Sequence, residues 1–584
     1  MPANWKHDLA VFIHESFEGM YKDGRHTDVE IIVGDKTFNC HKTVLAAVSP
    51  YFDAMFSSGM RESLDGVVTL HNIDKEIFER ILDFVYCGER VVTVENAQEL
   101  IKAAAIFQVR YLHDKCEQFL LEKICAENCI GAWKLAKSHD CPQLCLKAWS
   151  LIMEHFNDIC RSEDFTWLDV DDIISIITDY HLMVANEEVV CDAVFRWYNV
   201  KPQERKEDTI RLFEHLRLPL LGSEYLLHEI EPMQIVAESP RCREIVKEAI
   251  SYQMLLARRP EFNSSRIAFR QFSNLEEVLV IIGGYNAVGD KVSDLLAYSF
   301  QQERWCTLTQ LPIVLGREFA TCAYGNDIFV SGGSQRLDIL LRYRSENNDW
   351  YRCTSLIQGR RRHAMVAVGG SIYVIGGYDD NVKEELHRTL SSVDEYNIQT
   401  RSWSSIGSLQ VAVRSMTAAV SKDKILVFGG ILPDDKETDA VQCFDTRLGV
   451  TCFLSGMPSK CKMAKAVVLE KQLYVVCTDG SIVEMSEDGK CRTIETLSAF
   501  SRRRFGLVHH NGSILIIGGE SSGVVHQDIV AFSPEQKNVQ VLSSPKLPSR
   551  ANFGGLKIVI QKKFLTRDHR RDREPTPRPQ AIYN

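Results

Sequence analysis

From residue 272 onward the chain is written in short apolar runs that end in paired glycines: VLVIIGGY, DIFVSGGS, SIYVIGGY, KILVFGGI and SILIIGGE. The pairs fall at Gly283-Gly284, Gly332-Gly333, Gly376-Gly377, Gly429-Gly430 and Gly518-Gly519, with spacings of 49, 44, 53 and 89 residues. The long last spacing holds a degenerate copy, QLYVVCTD, with Cys477-Thr478 where the glycines would stand. Six units of about 41–53 residues result. Fifteen residues before each pair, from the second unit on, comes a basic residue: Arg317, Arg361, Arg414, Lys462 and Arg503. Tryptophans Trp305, Trp350 and Trp403 follow the pair in three units. Four short strands per unit, separated by turns, predict one propeller blade per unit. A glycine-rich turn after a strand can also cradle phosphate. Such a loop would occur once and open a helix, whereas each of these pairs leads into another strand. The glycines are therefore read as turn residues at places where a side chain would clash. The first unit lacks an arginine-led strand, and SRANFGGLKIVIQ supplies an orphan strand after Arg550. That strand is expected to complete the first blade and remove open sheet edges.

The N-terminal part follows other periods. Leu9, Phe12, Ile13, Phe17, Met20 and Tyr21 recur at helical spacing and predict an amphipathic first helix. TDVEIIVGDKTFNCHKTVLAAVSPYFDAMFSSGMRES then reads as a strand, a turn at Gly34-Asp35, a second strand and a helix. Residues 123–258 are helical in period, and residues 259–271 read as a linker. The tail at 567–584 is charged and rich in proline, and is expected to be disordered.

Composition narrows the function classes. The chain has 584 residues, 45% hydrophobic and 25% charged, as in ordinary multidomain globular proteins. A net charge of −10 argues against nucleic-acid binding, which needs a basic footprint. The N-terminus has no apolar signal-type core, and no apolar run reaches the ~20 residues that span a bilayer. An intracellular chain away from membranes is expected, with its 18 cysteines as thiols. Cys125/Cys129 and Cys141/Cys145, beside His139, could suggest zinc. Their four-residue steps place both thiols on one helix face, zinc pairs favour C-x2-C, and buried cysteine is a common small hydrophobe. No metal or other cofactor is expected. Neither H-E-x-x-H, a Walker loop nor the S-x-D-x-G-x-T-W box of propeller sialidases occurs, so no intrinsic catalysis is expected.

Residues 8–122, on the strength of Asp28-Val29, FNCHKTVLAAVSPYF and AMFSSGMRES, resemble the α/β BTB/POZ fold. Residues 123–258, with CIGAWKLAKSHDCPQLCLKAWSLIMEHFNDI, EEVVCDAVFRWYN and RLFEHLRLPLL, resemble the all-α BACK domain. Residues 272–566 resemble an all-β, six-bladed Kelch propeller with a degenerate fifth repeat. The whole chain resembles a Kelch-like (BTB–BACK–Kelch) protein. That resemblance implies a non-catalytic substrate adaptor of a cullin-RING ubiquitin ligase. BTB–BACK would bind the third cullin paralogue, BTB would form a homodimer, and the Kelch face would recruit a protein substrate for ubiquitination. Met60-Arg61-Glu62 matches the family's cullin-binding signature and nominates Met60 and Glu62. Leu9, Phe12, Ile13 and Phe17 are the expected dimer contacts, and Asp28 with Lys42 the family's buried structural pair. GRRRHA and SRRRF carry more arginine than one scaffold residue per blade. Arg361, Arg362, Arg503 and Arg504 are therefore expected on a substrate-binding rim suited to carboxylate or phosphate. By resemblance the loop residues Tyr285, Asn286, Arg336, Tyr378 and Asp379 share that face. A cytoplasmic location is expected, with nucleus and cytoskeleton as further compartments. The rival reading is an actin-associated Kelch scaffold without ligase function.

Overall fold

The computed structural model describes residues 5–57, 66–262, 264–498, 500–542 and 546–566. The tail at 567–584 and the loop holding Met60 and Glu62 lie outside the described residues. The chain divides into two compact units, residues 1–185 with 189–205, and residues 186–188 with 206–584.

The first unit opens with helix α1 (Trp5–Lys22). A three-stranded sheet follows, with β1 (Val29–Val33) between β2 (Lys36–Cys40), antiparallel, and β3 (Val67–Leu70), parallel. Alternation in β1 turns Val29, Ile31 and Val33 inward, as a half-buried strand requires. Helices cover the sheet, and Phe38, Phe52, Phe78 and Phe107 meet in the core; Phe38 packs edge-on against Phe78 at 5.5 Å. Asp74 caps the helix Lys75–Leu82 by accepting from the Glu76 backbone N–H at 2.7 Å. Cys129–Ser138 and Pro142–Glu154 form the next helical pair.

Among the described residues the second unit carries six four-stranded antiparallel sheets. Their inner strands, Gly554–Gln561, Ala320–Tyr324, Ala364–Val368, Thr417–Ser421, Lys465–Leu469 and Gly506–His510, pack each on the next and close a circle. The degenerate fifth unit still forms a complete sheet, ending at Cys491–Thr496. The orphan strand Gly554–Gln561 pairs along its whole length with Leu275–Ile282 of the first blade. Three blades repeat one cross-strand pair: Tyr298 faces Trp305, Tyr343 faces Trp350, and Tyr396 faces Trp403, with ring centroids 5.3, 5.4 and 5.2 Å apart. Such aromatic pairs add to burial through ring geometry.

Gly376 and Gly377 answer the phosphate question. Both have positive φ, 54° and 107°. A Cβ on Gly376 would lie 2.4 Å from the Met416 side chain and 2.7 Å from the Val413 carbonyl oxygen. One on Gly377 would lie 2.7 Å from the His363 Cβ. The pair sits where its own blade and the next one meet, too close for any side chain.

Candidate functional site

All six inner strands run in the same sense, so their starts ring one mouth of the central channel. Three consecutive residues precede each strand, and each has a separate task. The first turns inward. Arg360 is fully buried, donates to the Gly376 carbonyl at 3.2 Å and pairs with Asp394. Arg502 makes two 2.7 Å bonds to Asp528, and Arg550 reaches Asp294 at 2.7 Å and the Gly283 carbonyl at 3.4 Å. The second residue forms a backbone bridge to the residue after the glycine pair: Arg361 to Tyr378, Arg414 to Ile431, Arg503 to Glu520 and Ala551 to Tyr285. The third is left-handed in every blade. Glu318, Arg362, Ser415, Met463, Arg504 and Asn552 have φ between 54° and 65°. That conformation costs an L-residue roughly 1–2 kcal/mol. Here it carries blade-to-blade backbone bonds: Arg362 N–H to the Glu318 carbonyl at 2.9 Å, Ser415 to Arg362 at 2.8 Å, Met463 to Ser415 at 2.7 Å, and Asn552 to Arg504 at 3.2 Å.

The scaffold arginine therefore lies one residue earlier than the column of Arg361 and Arg503 read from the spacing. Arg360 and Arg502 hold the blades, which frees the following arginines for the mouth. Their charges are largely internally paired. Glu318 receives Arg361 and Arg362, the latter at 2.8 Å. Arg361 also pairs with Asp380 at 2.6 Å. Arg504 bonds Glu520 at 2.7 Å and donates to the Tyr285 hydroxyl at 2.8 Å. Burial opposes ionisation of Glu318, but hydrogen bonds and charge from Arg362 and Arg361 outweigh it and hold the carboxyl below its ordinary range.

Tyr285 is buried against this network, and its hydroxyl donates to Glu520. Tyr378 lies within 5.1 to 6.0 Å of the Arg414, Arg361 and Arg362 guanidiniums, a cation–π cluster. Asp379 is buried, accepting from the Gln358 amide at 3.1 Å, so it serves the loop rather than the open face. Asn286 braces its own turn through Asp290 at 3.1 Å. Arg336 and Arg503 are exposed. Several buried polar atoms around the mouth lack a partner among the described residues: Arg414 Nε, Ser415 Oγ, Arg504 Nε and Asn552 Nδ2. All four can donate a hydrogen bond.

Below the mouth runs a cavity of about 350 Å³, walled by small side chains such as Ala323, Ala364, Ala418 and Ala466. Tyr252, Ala257 and Phe262, at the end of the helical segment before the propeller, line its opposite end. The Gly325 N–H donates to the Leu256 carbonyl there at 3.1 Å. His363 is buried in the channel wall with Nε2 2.7 Å from the Ser331 hydroxyl. Burial, with the Arg360 charge nearby, pushes its pKa down to about 3, so it is neutral at physiological pH.

On the first unit, α1 divides in two. Tyr21 stacks on Tyr86 at 4.1 Å and Phe17 meets His41 edge-on at 6.2 Å, so the C-terminal half packs on its own unit. Leu9, Phe12 and Ile13 remain 58%, 65% and 45% exposed. Asp28 is exposed rather than buried as the resemblance implied. Its carboxylate accepts from the Lys42 backbone N–H at 2.7 Å, and at the start of a helix a carboxylate has no need of burial. Among the described residues no three His, Cys, Asp or Glu side chains gather as a metal cluster, and no helix is long and apolar enough to cross a membrane.

The sequence comparisons follow this division. Residues 17–124 match the BTB/POZ domain, residues 129–231 the BTB And C-terminal Kelch (BACK) domain, and residues 270–478 the KLHDC2/KLHL20/DRC7 Kelch-repeats domain. Kelch-like protein 24 of Rattus norvegicus is 33% identical over 518 residues, covering 88% of this chain and 85% of its own. Kelch-like protein 35 of Mus musculus is 30% identical over 556 residues, covering 94% and 95%. Kelch-like protein 6 of Homo sapiens is 31% identical over 431 residues, covering 72% and 68%. With an α/β N-terminal sheet, a helical middle and a closed ring of six antiparallel sheets in one chain, the protein belongs to the Kelch-like (BTB–BACK–Kelch) family.

Proposed function

We propose that this chain is the substrate-binding adaptor of a cullin-RING ubiquitin ligase. The division of labour is BTB (8–122) and BACK (123–258) toward the third cullin paralogue, and the propeller (272–566) toward a protein substrate. The observation that carries the reading is the presence of all three parts, in the family's order, in a chain similar over nearly its whole length to Kelch-like proteins. The adaptor performs no bond chemistry. It raises the effective concentration of substrate lysines near a charged conjugating enzyme. A homodimer through the free half of α1 would present two propellers and gain avidity.

The substrate face is the channel mouth. Arg414 Nε, Ser415 Oγ, Arg504 Nε and Asn552 Nδ2 are donors without acceptors among the described residues. A partner rich in acceptors, such as an acidic or phosphorylated loop, would satisfy them and recover the penalty of leaving buried donors unpaired. Since Glu318, Asp380 and Glu520 already neutralise much of the arginine charge, recognition would rest on directional hydrogen bonds more than on net field. Proximity labelling from the full chain, with and without a block of cullin neddylation, tests the reading. Labelled substrates accumulate under the block if the chain is an adaptor, and labelling is unchanged if it is not.

A further inference from the structure

One side chain in the central cavity is not explained by the repeat. Two positions after the left-handed ring, the inner strands bring Ala320, Ala364, Thr417, Lys465, Gly506 and Gly554 to the cavity wall. Five of these are small. The sixth puts a long cationic side chain into a space of about 350 Å³. Lys465 keeps much of its surface open, yet burial alone pushes its amine below the ordinary lysine range, so that surface looks into the channel. Lys462, three residues earlier, pairs with Glu437 at 2.8 Å. The Lys465 amine has no such carboxylate and no hydrogen-bond acceptor among the described residues.

The charge of the lining points the same way. Arg259, Lys465 and Lys557 line the cavity against one carboxylate, Glu277. Lys557 and Glu277 neutralise each other at 3.0 Å. Arg259, at the end lined by Tyr252, lies over the Tyr252 ring at 4.9 Å and donates through Nε to the Tyr252 carbonyl at 3.1 Å. Two positive charges are left over among the described residues, in a chain whose net charge is −10. Thr417 stands at the level of Lys465 on the neighbouring inner strand, and its hydroxyl also has no partner among the described residues. An amine, a hydroxyl and uncompensated charge therefore line one enclosed space.

We propose that the propeller channel binds a small organic phosphate, held by Lys465 Nζ and the Thr417 hydroxyl, with its organic body against Ala364, Ala418 and Ala466. A lysine ammonium binds phosphate as a point charge. A planar carboxylate favours the arginine fork instead, and Arg259 already commits its Nε to Tyr252. Three ammonium protons and a hydroxyl suit an ion with several acceptor oxygens. A dianion also matches the two leftover charges. The space exceeds a bare phosphate ion and falls within the size range of small-molecule sites, and its alanine walls suit an apolar body. Tyr252, Ala257 and Phe262 line the far end, so the ligand enters through the mouth. Bound there, it lies beneath any partner that the mouth holds.

The test is protection of Lys465 in the full wild-type chain, which needs no variant to fold. Lysines are methylated with formaldehyde and a borane reductant, and the rate at each is read by mass spectrometry. Inorganic phosphate and phenyl phosphate are the probes, with chloride at matched ionic strength as the control. Either probe at saturation is expected to slow Lys465 at least tenfold and to leave the exposed Lys436 and Lys490 unchanged. Phenyl phosphate is expected to protect at lower concentration than inorganic phosphate, because its ring gains the alanine walls. Phosphate stabilises folded proteins generally, so melting is compared between wild type and Lys465→Met. Both probes are expected to raise the melting temperature of wild type more than that of the variant. An unchanged Lys465 rate, or slowing shared by Lys436 and Lys490, overturns the site. Protection by inorganic phosphate with no advantage for phenyl phosphate overturns the organic ligand.

Discussion

Arg550 and Asp294 are 256 residues apart in sequence and 2.7 Å apart in space. Arg550 is almost wholly buried, and it precedes the strand that pairs with Leu275–Ile282. The end of the propeller is thereby clasped to its beginning. Ending the chain before Arg550 is expected to open the ring, expose two sheet edges and cause aggregation on modest heating. Ending it after Thr566 keeps the Leu565 carbonyl, which accepts from Arg304 at 2.9 Å, and is expected to leave the melting curve unchanged. Scanning calorimetry of the two truncations checks this, and equal melting of the full chain and the shorter form would refute the clasp.

Neighbouring arginines are expected to behave differently. Arg360→Ala leaves Asp394 buried without its partner and should cost about 3–5 kcal/mol of stability. Arg360→Lys should not restore it, because one ammonium cannot reproduce the guanidinium's reach to both Asp394 and the Gly376 carbonyl. Arg503→Ala, at an exposed position, should leave stability within about 0.5 kcal/mol. If Arg503 contacts substrate as a hot spot, the same change should weaken capture by about 2 kcal/mol or more. Denaturant titration paired with proximity labelling separates the two effects.

His363 gives the propeller a signed pH dependence. Its folded pKa is near 3, against roughly 6.5 when unfolded. Above the unfolded value the ring is neutral in both states and contributes nothing. As pH falls below it, the unfolded chain gains a proton that the folded chain refuses until about 3, so stability falls with pH across that window. The slope approaches about 1.4 kcal/mol per pH unit. His363→Gln is expected to lose stability less steeply than wild type over the same range. Parallel melting profiles for the two proteins would contradict the assignment.

The free half of α1 makes a separate prediction. Phe12 is 65% exposed, and Leu9 and Ile13 share its side of the helix. Phe12→Asp is expected to shift the full chain from dimer to monomer in light scattering without lowering its melting temperature, because the side chain is mostly exposed in its own protomer. A melting loss with the mass unchanged would mean that this stripe serves the fold instead.

The propeller was legible in the sequence because its glycine pairs answer a steric demand that recurs in nearly every blade, as Gly376 and Gly377 show. The closing strand was legible for a related reason: the first unit lacked a strand that the last segment had in excess. The left-handed ring at the mouth was not legible. Glu318, Arg362, Ser415, Met463, Arg504 and Asn552 share a backbone conformation and no side-chain chemistry. Which arginine serves the scaffold was not legible, because a triple such as Arg360-Arg361-Arg362 does not say which guanidinium turns inward. The first blade holds the missing signal, since in Arg550-Ala551-Asn552 only the leading residue is arginine.

The adaptor reading is tested most directly by calorimetric titration of the full chain with the N-terminal domain of the third cullin paralogue. Wild type is expected to bind at micromolar affinity or tighter. Met60→Ala with Glu62→Ala is expected to weaken binding about a hundredfold or more, through loss of roughly 1.5–3 kcal/mol each from apolar burial and from a charge-assisted bond. The dimer should persist, since α1 is a separate element. Binding that is equally tight in the double variant would keep the adaptor and move the contact elsewhere. No heat of binding from the wild-type chain would contradict the adaptor reading itself and leave a cytoskeletal scaffold in its place.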